Sequence, residues 1–423
     1  MKDSGIEWIG EIPEGWRTIN PKALFTQRKD KAQKGERQLT SSQQYGILYQ
    51  DDYMELTGSK VVTVEKDFDI LKHVEAGDFV ISMRSFQGGL EYSTKSGAIS
   101  SAYVMLVPNL ELVYPRFYRW LLKSSVYIDA LQRTTNMVRD GQAMRYSNFA
   151  QVRLFTLPLD EQKSRADFLD LECSSIDKIL FKTRSSIEEY KKLKQAVITQ
   201  AVIKGVRGDR EMKDSGVEWI GEIPKDWEIK RLKSFCTIVD CKNRTPDVFP
   251  DGKYTVVRTT CIKDCSFSYE GSYQTDTTNF KAWTLKGQPH KGDIFFTREA
   301  PVGEACLVPN ADNLCMGQRV MFFRPEDNSD ARYIMYSIYG PLVREYIASK
   351  NSGSTVGHLK LGQVACIPIF YCPPLEQKEI ANYLDAKCAE IDGLIAKKEQ
   401  LVKELESYKR SLIYEVVTGK REV

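Results

Sequence analysis

The sequence has few of the features that mark membrane proteins, secreted proteins or hydrolytic enzymes. No apolar run approaches the ~20 residues that span a bilayer. The segment Met1 to Trp8 does not resemble a signal peptide. Histidine occurs only three times in 423 residues, which leaves general acid–base chemistry without an obvious site. We therefore expect a cytoplasmic protein that makes no use of a membrane.

Motifs of nucleotide-dependent and methyl-transferring enzymes are also missing. The sequence contains no Gly-x-x-x-x-Gly-Lys-Ser/Thr loop, no Gly-x-Gly-x-x-Gly after a strand and no Asp/Asn-Pro-Pro-Tyr/Phe tetrapeptide. Cys372-Pro-Pro374 and Asp251-Gly-Lys253 superficially resemble fragments of a cytosine methyltransferase and a nuclease. A connector before a helix and a tight turn explain them better. We predict no catalytic residue, and a chain that is not an enzyme by itself.

Charge and cysteine content exclude two further classes. Lys and Arg number 60 against 57 Asp and Glu, a net charge of +3, so any contact with nucleic acid must use a local patch. Nine of the ten cysteines lie at or after Cys236 with irregular spacing, and no histidine accompanies a pair of them. This pattern predicts reduced, partly buried thiols and no metal site, with zinc binding as the alternative.

A long helical stretch is the most regular feature that is present. Residues 162–203 contain neither Gly nor Pro, and their apolar positions step by four and three, the heptad pattern of a two-helix seam. The same pattern recurs 215 residues later, including the weak positions Thr183 and Lys194, which correspond to Lys398 and Lys409. Each stretch follows a Pro and ends at a Gly. The predicted seam consists of Leu169, Ile176, Leu180, Ile187, Tyr190 and Val197 on one helix, and of Leu384, Ile391, Ile395, Val402, Leu405 and Leu412 on the other.

The chain is an internal duplication. Residues 2–16 read KDSGIEWIGEIPEGW and residues 213–227 read KDSGVEWIGEIPKDW, with twelve of fifteen positions identical. Weaker matches link strand-like runs of the two halves, such as those that follow Gly77-Asp78 and Gly292-Asp293. We predict a mixed α/β fold with two pseudo-symmetric globular regions separated by an antiparallel two-helix coiled coil. The predicted segments are a first region at 1–157, a first helix at 158–209, a second region at 210–372 and a second helix at 373–423.

These features together resemble the specificity subunit of type I restriction–modification systems. The resemblance rests on the duplicated Trp segment, on the Glu-Gln entry into each long helix and on the ending Val417-Thr-Gly-Lys420. It also rests on the Gly-Asp-Ile-Phe-Phe-Thr-Arg run at 292–298 and on Gly353-Ser-Thr355. The first half departs mildly, since residues 134–145 contain no Gly-Ser-Thr.

The resemblance implies a DNA-reading adapter. Each region would be a target recognition domain that reads one half of a bipartite site in double-stranded DNA. The helix pair would set the gap between the halves and dock the methyltransferase subunits. The family's complexes contain two methyltransferase subunits and two restriction/translocase subunits. S-adenosylmethionine, ATP and Mg are therefore expected in partner subunits, with no cofactor in this chain.

DNA contact requires cations for phosphates and guanine edges, and amides or hydroxyls for adenine edges. For each candidate, an ordinary solvated surface side chain is the alternative, and Arg298 could instead pair with Asp293. The candidates are Arg84, Lys95, Arg139, Gln142 and Arg145 in the first region, and Lys242, Asn243, Arg244, Arg258, Arg298, Ser354, Thr355, His358 and Lys360 in the second.

Two other functions remain to be weighed against DNA reading. One is an enzyme with its own methyltransferase or nuclease centre, which the missing motifs disfavour. The other is a coiled-coil scaffold that joins proteins without reading DNA, and this hypothesis predicts no DNA affinity even in the presence of a methyltransferase partner.

Overall fold

The structure, a computed structural model, describes residues 1–64, 68–82, 90–134, 145–351 and 357–423. The predicted DNA contacts Arg84, Arg139, Gln142, Ser354 and Thr355 lie outside these residues. The chain forms two compact units. Unit 1 contains Met1–Arg184 and Gln400–Val423, and unit 2 contains Ser185–Glu399.

Short strands and one long helix make up most of unit 1. The strands are β1 (Lys2–Ile6), β2 (Gly10–Ile12), β3 (Arg17–Ile19), β4 (Phe25–Arg28), β5 (Leu39–Ser42), β6 (Gly46–Tyr49), β7 (Lys72–Val74), β8 (Phe79–Ser82), β9 (Glu91–Tyr92), β10 (Gly97–Ile99), β11 (Tyr103–Pro108) and β12 (Leu154–Thr156). The helices are α1 (Pro21–Leu24), α2 (Gln50–Thr57), α3 (Pro115–Leu122), α4 (Ser125–Arg133), α5 (Tyr146–Phe149) and α6 (Leu159–Lys204), and α6 continues into unit 2.

Unit 2 repeats this plan with additional strands. These are β13 (Met212–Asp214), β14 (Glu222–Pro224), β15 (Glu228–Arg231), β16 (Cys236–Val239), β17 (Tyr254–Val257), β18 (Ile262–Lys263), β19 (Ser266–Phe267), β20 (Tyr273–Thr275), β21 (Ile294–Thr297), β22 (Ala305–Leu307), β23 (Leu314–Met316), β24 (Val320–Pro325) and β25 (Pro368–Tyr371). The helices are α7 (Thr277–Trp283), α8 (Ala331–Ile338), α9 (Pro341–Asn351), α10 (Leu361–Ala365) and α11 (Pro374–Val417), and α11 ends in unit 1.

Each unit is built on the same antiparallel four-stranded sheet. Its strand order is β4-β11-β8-β9 in unit 1 and β16-β24-β21-β22 in unit 2. The registers correspond, since Leu106 faces Phe79 in the first sheet and Phe323 faces Ile294 in the second. Each Trp segment forms a hairpin, β1-β2 or β13-β14, and the strand before each long helix pairs with the strand after that hairpin.

A buried glutamine explains the Glu-Gln entry into each long helix. The Gln162 amide nitrogen donates to the carbonyls of Leu112 and Leu157, at 2.8 and 2.9 Å, and its oxygen accepts from the Tyr114 N–H. The Gln377 amide bonds the Cys372 carbonyl and the Asp330 N–H in the same way. Each glutamine is fully buried. It satisfies backbone groups at the end of a strand and of a loop, and so fixes where the long helix begins.

The long helices pack antiparallel within unit 1. Asp177 pairs with Lys409 at 2.6 Å, and Arg184 pairs with Glu406 at 2.5 Å. Arg165 donates to the carbonyl of Val416 at 2.9 Å. Residues of increasing number along α6 therefore lie beside residues of decreasing number along α11, as in an antiparallel pair. Of the predicted seam residues in this unit, Leu169, Ile176, Leu180 and Leu412 are buried, and Val402 and Leu405 pack against the same core.

The other halves of the two helices pack in the same sense within unit 2. Lys194 pairs with Asp392 at 2.7 Å, and the Lys398 ammonium lies 5.7 Å from the Tyr190 ring centroid. Lys194 is the counterpart of Lys409, and each of these two lysines reaches an aspartate on the facing helix. Of the predicted seam residues in this unit, Ile187, Leu384 and Ile391 are buried, and Tyr190, Val197 and Ile395 are half-buried.

The predicted fold class is confirmed, with differences in detail. The segment after β11 and the segment after β24 each contain two consecutive helices, α3 and α4 or α8 and α9, and Pro341 opens α9 because proline fits a first helical turn. The bounds of the four predicted segments stay a prediction. In the part of the chain that the structure covers, no helix has both the length and the hydrophobicity of a membrane span.

Candidate nucleic-acid interface

Arg298 holds the loop after β16 in the second region. Its side chain is 9% exposed. Nη1 donates to Asp240 at 3.0 Å and Nη2 donates to the Asn243 side-chain oxygen at 2.8 Å. The alternative partner considered from the sequence, Asp293, pairs instead with Arg324 at 2.7 Å. The buried Arg298 side chain therefore fixes the position of the loop, and the exposed residues of the loop form a polar surface.

Two predicted cations lie on this loop, beside α7. The Lys242 ammonium is 4.8 Å from the Trp283 ring centroid, and the Trp283 Nε1–H donates to the Arg244 carbonyl at 3.0 Å. The Arg244 side chain is exposed. The contacts with Trp283 restrict the backbone of the loop and place the Lys242 ammonium, and the exposed Arg244 guanidinium extends from this loop towards solvent, where phosphate contact is possible.

A cleft of about 310 Å³ lies next to the loop. The predicted residue Arg258 lines it together with Thr245, Tyr273, Gln318 and Arg319. Burial raises the pKa of Tyr273 to about 12, so the Tyr273 hydroxyl group is uncharged at physiological pH. The cleft combines two guanidinium groups with hydroxyl and amide groups, which is the chemistry that DNA contact requires.

Sequence reasoning missed Gln318 and Arg319. Both side chains are exposed on the turn between β23 and β24. The only signal in the sequence is a short polar interruption, Gly317-Gln-Arg319, between two apolar runs. That signal also fits an ordinary hairpin turn, because the sequence of two strands and their turn does not show which surface the turn faces.

Glu299 connects this surface to His358. Its carboxylate forms an ion pair with Arg319, whose Nε lies 3.2 Å away, and is 3.3 Å from His358 Nδ1. Lys360 is exposed, and its backbone N–H caps the start of α10 by donating to the Gln363 side chain. Among the described candidates of the second region, Arg298 contacts Asn243 directly, Lys242 and Arg244 both contact Trp283, and Glu299 lies beside His358.

The first region shows no comparable cluster among its described candidates. The Lys95 ammonium lies 4.8 Å from the Tyr49 ring centroid, and Arg37, which was not predicted, stacks on the same ring at 3.7 Å. Arg145 is exposed and precedes α5, where its N–H donates to Asn148. No contact tests the predicted DNA-binding roles in either region, so they remain predictions.

Comparisons with known proteins agree with this architecture. A type I restriction enzyme specificity subunit of Methanocaldococcus jannaschii, MjaVIII, is 23% identical over 360 residues, covering 82% of this chain and 80% of that protein. The fold resembles a chain from a structural study of complex assembly in a type I restriction–modification system, with a TM-score of 0.70 at 14% identity, covering 97% of this chain and all of that one. It also resembles the HsdS subunit of Thermoanaerobacter tengcongensis, with a TM-score of 0.50 at 14% identity, covering 97% and 98%.

The fold and the duplicated sheets thus define a specificity-subunit architecture. The sequence model of the type I restriction modification DNA specificity domain family matches residues 224–404, and the relatives cover both halves of the duplication. The matched family model and these relatives together support a type I restriction–modification specificity subunit.

Proposed function

We propose that this chain is the DNA sequence-specificity subunit of a type I restriction–modification complex. Each region reads one half of a bipartite site in double-stranded DNA, and the helix pair sets the gap between the halves. The observation that carries the proposal is one framework, present twice, with different polar surfaces. Reading two different half-sites requires different surfaces, whereas a plain scaffold does not.

The chain itself carries no catalytic step in this proposal. Methyl transfer from S-adenosylmethionine and ATP-dependent, Mg-dependent cleavage belong to two methyltransferase and two restriction/translocase subunits. The internal duplication supports the paired stoichiometry, because a repeated surface offers a repeated binding site. The complex would act on cytoplasmic DNA.

A groove on α6 in unit 1 supports the docking of a partner subunit. It encloses about 590 Å³ and is lined by Trp120, Cys173 and Phe181 among others. The Phe181 side chain is 73% exposed, as is 66% of Leu171 nearby on the same helix. Large exposed apolar side chains in one area favour a protein interface over plain solvation.

The test is a map of methylated adenine. The chain is expressed with the methyltransferase subunit of its own system in a host without DNA methylation, and N6-methyladenine is located by single-molecule sequencing. One bipartite motif with an unspecified gap is the expected result, and exchange of residues 228–372 for those of another specificity subunit should change one half only. Soluble, copurifying proteins that methylate nothing would overturn DNA reading and favour the scaffold.

A separate variant tests the docking surface. Phe181→Asp should prevent copurification of the methyltransferase subunit, whereas Lys178→Gln, a change on the same groove that removes a charge and keeps most of the apolar stem, should not. Unchanged copurification of the Phe181→Asp variant would exclude this groove as the contact.

A further inference from the structure

The turn Gly317–Arg319 is the most firmly held part of the polar surface. The Gly317 N–H donates to the Val257 carbonyl at 2.8 Å, and the Arg298 N–H donates to the Arg319 carbonyl at 3.1 Å. The Cys241 thiol donates to the Gln318 carbonyl at 2.8 Å. Burial raises the pKa of this thiol to about 11, so it stays protonated as a donor. Three backbone groups of a three-residue turn are therefore held in place.

Glycine is required at the start of this turn. A Cβ atom on residue 317 would lie 2.8 Å from the Val257 carbonyl oxygen, closer than side-chain carbons approach. The close contact draws the turn onto the end of β17. The exposed side chains of Gln318 and Arg319 thus extend from a backbone that cannot easily shift, which is what selective recognition needs.

One hydrogen bond orients the side chain of Gln318 and leaves its amide group able to make further hydrogen bonds. Thr245 Oγ1 donates to the Gln318 Oε1 at 3.0 Å, which orders the amide. Of the residues that the structure covers, none makes a hydrogen bond to the amide nitrogen of Gln318. The oxygen also keeps a second lone pair. One donor and one acceptor side by side match the N7 acceptor and the N6 amino group of adenine in the major groove.

The charges around Gln318 suit the neighbouring phosphates. Arg258 and Arg319 line the same cleft, and each side chain is exposed. Arg319 is directed by its ion pair with Glu299 at 3.2 Å. Guanidinium groups that contact the backbone would set the register in which the amide meets one base.

The corresponding turn of the first region has different chemistry. The matched registers of β8 with β11 and of β21 with β24 align residues 317–319 with Ser100-Ser-Ala102. The hydrogen bond that closes the turn is kept, from the Tyr103 N–H to the Ser100 carbonyl and from the Val320 N–H to the Gly317 carbonyl. Neither an amide nor a guanidinium group is present in the first turn, so the turn offers this chemistry in the second region and not in the first.

We infer that Gln318 is a specificity-determining residue that reads an adenine base in the half-site bound by the second region, with Arg258 and Arg319 on the adjacent phosphates. The inference rests on the proposed function, and it names the chemistry of one contact within it.

The experiment maps N6-methyladenine for the full chain coexpressed with its methyltransferase subunit, with Gln318→Ala as the variant. Preference for A·T at one position of one half-site should fall by roughly tenfold or more, and the other half-site should stay unchanged. Gln288→Ala is the matched control, because its amide donates to the Asp312 carbonyl and not to this surface. The control should leave the motif unchanged.

Other outcomes separate the inference from the function. An intact motif with Gln318→Ala overturns the inference and leaves the proposed function standing, whereas absence of methylation with the unchanged chain refutes both. If the variant methylates nothing, purified complexes are compared in binding to duplexes that differ at single base pairs of the second half-site. A weaker preference at one adenine position supports the inference, and an equal loss for every duplex overturns it.

Discussion

The buried tryptophan of each Trp segment packs against the end of a long helix in the same way in both units, but its polar contacts differ. Trp16 in unit 1 and Trp227 in unit 2 are both buried, with 1% and 0% of the side chain exposed. Each lies against the glycine that ends a long helix, Gly419 or Gly205, and both glycines have positive φ near +74°. A Cβ at either glycine would meet the indole ring at 3.0 or 3.3 Å. Glycine serves both the turn and the close approach.

The cation over each indole ring comes from a different part of the chain. In unit 1, Arg165 of α6 lies 5.0 Å from the Trp16 ring and pairs with Glu161. In unit 2, Arg210 from the segment after α6 lies 5.7 Å from the Trp227 ring and pairs with the equivalent carboxylate, Glu376. The duplication has therefore kept the shape of the contact and exchanged its charged partner.

This difference shows which features of a duplicated chain are free to diverge. Buried rings and glycines are constrained by volume, because interiors are close-packed. An ion pair only needs some cation within reach, so either arginine is adequate. The side chains of Ser101 and Gln318, which are exposed at equivalent places in the two turns, are under no such volume constraint, and they differ.

The largest expected effect is the loss of Glu376. This carboxylate is 0% exposed, whereas 34% of the Glu161 side chain is exposed. Glu376→Ala removes the buried partner of Arg210 and leaves it only the half-exposed Asp226, 2.7 Å away, so it should lower the free energy of unfolding by about 2–3 kcal/mol. Glu161→Ala should cost about 1 kcal/mol, because Arg165 still donates to the carbonyls of Val416 and Arg421. Urea unfolding followed by circular dichroism measures both values. Equal losses of unfolding free energy would mean that the difference in burial between Glu376 and Glu161 does not affect stability.

The Gly-Asp turns allow a second comparison. Asp78 bonds Arg28 of β4 through both carboxylate oxygens, at 2.6 and 3.0 Å, and Asp293 bonds Arg324 of β24 at 3.0 and 2.7 Å. Arg28 is 19% exposed and Arg324 is 43% exposed. Asp78→Ala should therefore destabilise by about 2 kcal/mol and Asp293→Ala by about 1 kcal/mol, because water can solvate Arg324 more fully. The same urea titration compares them, and a larger loss from Asp293→Ala would contradict the explanation.

These aspartates also show what the sequence can and cannot predict. The repeated Trp segment, the Gly-Asp strands and the start and end of each long helix are local or repeated signals, and the structure contains them. The arginine that each aspartate binds is not predictable, because Arg28 of β4 and Arg324 of β24 lie on strands that do not correspond in the two sheets. Each arginine reaches its aspartate only in the folded sheet. Gln318 was missed for the same reason: its neighbours Thr245 and Val257 are far away in sequence.

Substitution of the two tryptophans tests the exchanged polar partner directly. Trp16 Nε1–H donates to Glu161 at 3.1 Å. The Nε1–H of Trp227 is buried, and no residue within the described ranges accepts its proton. Trp16→Phe and Trp227→Phe remove the same volume, but only the first removes a hydrogen bond. Trp16→Phe should be the more destabilising by about 1 kcal/mol. Equal values would indicate that the bond to Glu161 adds nothing to stability.

The smallest expected difference between the regions depends on pH. His73 in the first region lies 3.0 Å from both Glu36 and Glu75, whereas the position that corresponds to it under the 215-residue offset is Gln288. Burial disfavours the charged imidazole, but hydrogen bonds with the two carboxylates outweigh it and raise the pKa of His73 above its ordinary 6.5. A raised pKa in the folded state stabilises fully below pH 6.5, and this contribution is lost as the pH rises through the folded-state value. His73→Gln should therefore destabilise more at pH 5.5 than at pH 8.0, by less than about 1 kcal/mol. Urea titrations at the two pH values measure the difference, and the same loss at both would show that the charge on His73 does not contribute.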